Sequence, residues 1–157
     1  HPSAARRLQS GESIEIEVNS EIISNYAGII VDAGASYVFQ PDPKGQWTDL
    51  EIHCDARGWP DDLEDDKGFF AKMTHKFLES RIGGMLRRVR KAAWFEMCAC
   101  PGFDDDDAFP IGSGQFSKTP WKSPRLAPLV FFANDCLFPN KYDNNQGSIR
   151  VTVTRVS

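Results

Sequence analysis

Oxygen-bearing side chains crowd into one stretch of this chain, NDCLFPNKYDNNQGSIRVTVTR at 134–155. Asp135, Asn140, Asp143, Asn144 and Asn145 together offer carboxylate and amide oxygens. Those are the donors a hard cation takes: Ca²⁺ gathers roughly six to eight oxygens from carboxylates, amides, backbone carbonyls and water. The same residue types suit a metal-free polar turn, because Asn and Asp tolerate turn backbones and bond to them. Composition leaves both readings standing. Asn144 and Asn145 follow Asp135 by nine and ten residues, between what read as two strands, so the oxygens gather where two strand ends meet at one edge.

Other reactive constellations are missing from the sequence. It holds no G-x-S-x-G, P-loop, G-x-G-x-x-G or H-E-x-x-H pattern. His1, His53 and His75 are scattered, and no nucleophile sits beside a base, so the chain does not read as an enzyme. Cys54, Cys98, Cys100 and Cys136 lack zinc-ligand spacing and are expected as buried free thiols. The DDDD run at 104–107 reads as a solvated loop. Arg87, Arg88, Arg90 and Lys91 read as an exposed strand end facing the acidic loops. A net charge of −4 argues against a nucleic-acid partner. No apolar run approaches the ~18 residues of a membrane span. A first residue of His1 points to processing or excision from a longer protein. No signal peptide is visible, so cytoplasmic and secreted or cell-surface settings both fit.

The elements that must position the oxygens read mostly as strands. Ile149, Val151 and Val153 alternate with Arg150, Thr152 and Thr154, a half-buried strand within 147–156. Gly147 permits the turn into it. APLVFFAND at 127–135 is almost wholly apolar, as a central strand buried on both faces would be. Ile14, Ile16 and Val18 alternate with Glu15 and Glu17, and Ala35, Tyr37 and Phe39 repeat the pattern. Tyr26–Val31 leads to the turn DAG at 32–34, and PDPKG at 41–45 is turn chemistry. WTDLEIHC at 47–54, GGMLRRV at 83–89 and AAWFEMCAC at 92–100 each read as a strand. Phe70, Met73, Phe77 and Leu78 fall at helical spacing, which predicts one inserted helix over 69–80. Residues 1–10 read as linker or frayed terminus, and 11–157 as one domain. The class expected is all-β, an antiparallel β-sandwich.

The order of these features resembles the PA-IL (LecA) family of galactose-binding bacterial lectins, small calcium-dependent β-sandwiches of the galactose-binding-domain type. The likeness spreads over 13–156. It includes DAG at 32–34, Trp47 opening a strand, GGML at 83–86 and FPIGSG at 109–114. Its strongest part is the pattern ND…Y-x-NN-x-G-x-x-x-V-x-V, held here by Asn134, Asp135, Tyr142, Asn144, Asn145, Gly147, Val151 and Val153, with a loop two residues longer than the family's. The resemblance implies Ca²⁺ held by the side chains of Asp135, Asn144 and Asn145 and by the backbone carbonyls of Leu50 and Lys141. Asn140 is the neighbour that could replace Lys141 in the longer loop. Asp143 stands where the family has a small residue.

One carboxylate and four neutral oxygens would leave such an ion short of ligands, and vicinal hydroxyls of a sugar can complete its shell. With so little ligand charge, calcium affinity on the order of micromolar to millimolar is expected. The family's sugar-side wall maps onto Gly58-Trp59-Pro60-Asp61-Asp62. Trp59 replaces a His there and could stack on a hexose, while Asp61 and Asp62 could bind hydroxyls. The function implied is a non-catalytic, calcium-dependent lectin for a galactoside-like glycan, as a homo-oligomer or a fused domain. The alternative is an accessory or protein-interaction β-sandwich of a larger bacterial protein, such as an effector or hydrolase, keeping the metal site but no sugar. The insertion at 63–82 and the loop at 101–108 favour that alternative.

Overall fold

The computed structural model describes residues 4–49, 52–59, 87–135 and 142–157. The helix expected over 69–80, the GGML segment, and Leu50, Asp61, Asp62, Asn140 and Lys141 lie outside the described residues. Among those described, the strands are β1 (Ser13–Asn19), β2 (Asn25–Val31), β3 (Ser36–Pro41), β4 (Trp47–Asp49), β5 (Ile52–Cys54), β6 (Met97–Pro101), β7 (Phe109–Pro110), β8 (Trp121–Lys122), β9 (Ala127–Ala133), β10 (Asn145–Gln146) and β11 (Ser148–Arg155).

Alternation explains how they layer. One sheet runs β1-β11-β3-β8 and a second β2-β9-β6-β7, with antiparallel pairing in both. Between them lies one core. It takes Ile16 and Val18 from β1, Val151 and Val153 from β11, Tyr37 and Phe39 from β3, Ile29 from β2, Leu129 and Phe131 from β9, and Met97 from β6. The expected antiparallel β-sandwich is the observed fold. The central pair β6–β9 is buried on both faces. Val130, Phe132, Cys98 and Cys100 point to the outer side and form a second cluster with Val89, Ala92 and Ala108. The loops that carry Val89 and Ala108 therefore act as a lid on the outside of the sheet, which is why β9 reads as an almost wholly apolar run.

Several local expectations are corrected. Segment 47–54 is a hairpin, not one strand: β4 pairs with β5 in the register Trp47↔Cys54, Thr48↔His53, Asp49↔Ile52. Residues 4–10, read above as linker, dock against β2. The Arg6 N–H donates to Gly28 O (3.1 Å), the Ile30 N–H donates to Arg6 O (2.9 Å), and Leu8 is fully buried. Residues 88–91 make bends and turns, and β6 begins only at Met97. The chain turns at Phe95, whose φ of 64° is left-handed. That conformation is unfavourable for a bulky residue, and it is held by the ring's burial against Trp47 (5.5 Å) and by a Phe95 N–H bond to Asn134 O (2.8 Å).

The charged segments are not merely solvated. Arg88 has a side chain only 4% exposed, pairs with Asp105 through two 2.9 Å contacts and lies 3.5 Å over the Phe132 ring. It also donates to Ile23 O and, at 3.1 Å, to Ser24 Oγ. Asp104 caps a single 3₁₀ turn, Asp105–Asp107, by accepting from the Asp106 N–H, and Asp107 pairs with Arg125. Two of the four aspartates thus anchor the acidic loop across the outer face of the sheet.

Candidate functional site

The edge anticipated from sequence begins where β9 ends. Asn134 is completely buried and serves as a clamp. Its Oδ1 accepts from the Val89 N–H (2.8 Å), and its Nδ2 donates to Val89 O (2.9 Å), Ala92 O (3.3 Å) and Ala93 O (2.9 Å). These bonds fix the direction in which the next residue, Asp135, leaves the sheet. Asp135 is 7% exposed, and its carbonyl accepts from the Arg88 N–H (3.2 Å).

The chain returns through a 3₁₀ turn, Tyr142–Asn144. Tyr142 is buried and its hydroxyl donates to Ala133 O (2.8 Å), tying the returning chain to the end of β9. Burial pushes that phenol up to about 12, against the pull of the nearby Arg88 charge. Asn144 is exposed at the end of the turn, whereas Asn145 is fully buried. Asn145 Nδ2 donates to Ser20 O (3.0 Å) and to Asp135 Oδ2 (3.1 Å). The structure therefore joins Asp135 and Asn145 directly, with Asn144 beside them along the chain. Ser20 also braces the site, since its Oγ donates to Gly147 O (2.9 Å). Gly147 has φ +94°, and a Cβ there would come within 3.1 Å of Gln46 O and Trp47 Cα. Only glycine lets β11 turn away so close to β4.

Asn145 Oδ1 is buried with no hydrogen-bond partner. An orphaned buried acceptor costs ~1–3 kcal/mol. Beside a buried carboxylate, this atom fits the coordination chemistry of a cation. The amide cannot be turned to relieve it, because Ser20 O only accepts and must face Nδ2. Among the described residues, no three His, Cys, Asp or Glu side chains gather in one cluster. The donor set at this edge is carboxylate plus amide, which is the set hard cations take.

Sequence reading missed one residue here. Asp49, 3% exposed, lies directly opposite Asn145 in the β10–β4 pairing. It escaped notice because 47–54 read as one strand. Only the hairpin, with its buried residues switching from Trp47 and Asp49 to Ile52 and Cys54, brings Asp49 to the edge.

Trp59 sits elsewhere. It is half-buried and stacks on Trp94 (5.7 Å, 28°), and its backbone N–H donates to Trp94 O (2.8 Å). With Gln46, His53, Cys54, Asp55 and Arg57 it lines an open cleft of about 490 Å³. Asp135, Asn144 and Asn145 are not among the cleft's lining residues. A two-contact ion pair to Arg57 holds the Asp55 carboxyl below its ordinary range. Burial, reinforced by the Asp49 charge, pushes the Cys54 thiol up to about 12, which keeps it protonated at neutral pH. Gly112 closes the neighbouring chain approach: a Cβ there would fall 1.7 Å from Ala56 O.

No protein-family model matches the chain, and no curated protein matches it. Among solved structures, it is similar to one described as "EclA N-terminal domain; PllA-like lectin", with a TM-score of 0.55 and 16% identity, covering 90% of this chain and 94% of that one. At that identity the likeness shows a shared fold.

Proposed function

We propose that this chain is a non-catalytic carbohydrate-binding module that holds Ca²⁺ at the Asp135–Asn145 edge. In this reading Asp135, Asn144 and Asn145 supply side-chain oxygens, and Leu50 and Lys141 supply backbone carbonyls. The observation that carries it is the buried, unpartnered Asn145 Oδ1 held against the Asp135 carboxylate. The fold shared with a PllA-like lectin domain supports it. A bound calcium ion would offer open positions to the vicinal hydroxyls of a galactoside-like sugar. The protein's own part is to hold the donors rigidly. The Asn134 clamp, the Ser20 brace and the Tyr142 tether do this before any ligand arrives, which lowers the ordering cost of binding. Trp59 offers an aromatic surface in a separate cleft, suited to the C–H face of a sugar.

Thermal unfolding with Ca²⁺ and with chelator tests the metal. At about a hundredfold excess over Kd, binding adds ~2.7 kcal/mol, worth roughly 5–10 °C for a chain of this size. Asn145→Ala should abolish that shift, and a glycan array with Ca²⁺ should return galactosides. An unchanged melting point at millimolar Ca²⁺ sinks the metal reading. An array that stays blank while Ca²⁺ binds converts the protein into the accessory domain described above.

A further inference from the structure

Resting on the calcium reading above, we infer that Asp49 supplies a second carboxylate to the cation at the Asp135–Asn145 edge, making the site charge-matched for a divalent ion. Directly paired residues of an antiparallel ladder carry their side chains on the same face, with Cβ atoms ~4.5–5.5 Å apart. Asp49 and Asn145 are such a pair. The face is the inner one, because both residues are buried and Asp49 alternates in step with the core residue Trp47. Asn145 in turn bonds Asp135 at 3.1 Å. Two carboxylates therefore approach one amide, from the β4 side and from the end of β9.

The amide orientation turns this approach into a site. Nδ2 is committed to Ser20 O and Asp135 Oδ2, leaving Oδ1 buried and without a donor. Ionised carboxylates only accept, so neither Asp49 nor Asp135 can satisfy that oxygen. A divalent cation meets that need, coordinating the amide oxygen with a carboxylate on either side of it. The charge count also sets affinity, because ligand charge is one of the levers that tune Ca²⁺ binding. With one carboxylate, the affinity expected from sequence was weak. With two, the dissociation constant falls below that range.

The test uses the whole chain, stripped with chelator, and CaCl₂ alone as the probe. Calorimetric titration and melting are compared for the wild type and Asp49→Asn. The wild type binds Ca²⁺. Asp49→Asn binds it ~10–100-fold more weakly, with melting of the stripped form checking that the variant still folds. Equal Kd values in the two proteins overturn the inference and leave the calcium reading intact. A wild type that takes up no Ca²⁺ overturns both. Should Asp49→Asn fail to fold, ¹³C NMR of the wild type decides: the Asp49 carboxylate carbon moves with that of Asp135 as CaCl₂ is added, and an Asp49 signal that stays fixed assigns the residue to packing alone.

Discussion

Removing the Asp105 carboxylate should cost at least as much as removing the whole Arg88–Asp105 pair. Arg88 is the more deeply buried partner, at 4% against 25% for Asp105. Asp105→Ala strands a guanidinium above the Phe132 ring with no counter-charge. Breaking a buried pair from one side costs ~3–5 kcal/mol. At ~2–4 °C per kcal/mol for a chain of this size, the melting point drops by roughly 6–20 °C. Adding Arg88→Met withdraws the stranded charge and keeps an apolar stem over Phe132. It gives up the bonds to Ser24 Oγ and Ile23 O, at ~0.5–1.5 kcal/mol each, and the cation–π contact, at up to ~2 kcal/mol. The recovered penalty offsets these losses, so the double variant should be at least as stable as Asp105→Ala alone, with a coupling energy above ~2 kcal/mol. Denaturant unfolding of the four proteins measures that coupling. A value below ~0.5 kcal/mol, the ordinary error of additivity, refutes the view that this pair is a buried anchor.

Two other perturbations probe the frame around the site. Gly112→Ala places a methyl group on the Ala56 carbonyl and should cost about 3 kcal/mol or more in a urea melt; a loss under 1 kcal/mol contradicts the close approach. The thiols of Cys54 and Cys100, pushed up to about 12 and about 11, and the phenol of Tyr142 at about 12 all keep their protons longer folded than unfolded. From pH ~9 upward the unfolded chain releases protons that the native state retains, so stability should fall between pH 9 and 12. A melting point unchanged between pH 8 and pH 10.5 argues against it.

What the sequence made legible is what repeats locally. The period of two across Ile14–Val18 and Ile149–Val153, and the unbroken apolar run of β9, named their faces and their depth. Asp135 and Asn145 could be brought together because each borders such a strand. What stayed hidden depends on partners far along the chain. The Trp47–Cys54 hairpin leaves only a one-residue change of parity as its trace, so Asp49 went unnoticed. The aspartate run looks like solvated charge until Arg88 and Arg125 are placed against it. Leu8 carries no periodic neighbours, yet it is fully buried in the core between the sheets. Asn134 matched a motif without showing its work, which is to hold the 89–93 turn.

The sheet margins have one more consequence, for self-association. Exposed strand edges recruit other strands, and proteins guard them with charge, brevity, proline or cover. Among the described residues, β7 and β8 are two residues long, and β7 ends in Pro110. At the β2 margin, Arg6 forms a parallel bridge to Ile29, and the register shifts between Tyr26 and Ile30. β1, a margin seven residues long, turns Glu15 and Glu17 outward. Strand-to-strand continuation between copies is disfavoured at each of these margins. A multivalent assembly of this protein would then be built through its faces and loops rather than through these margins.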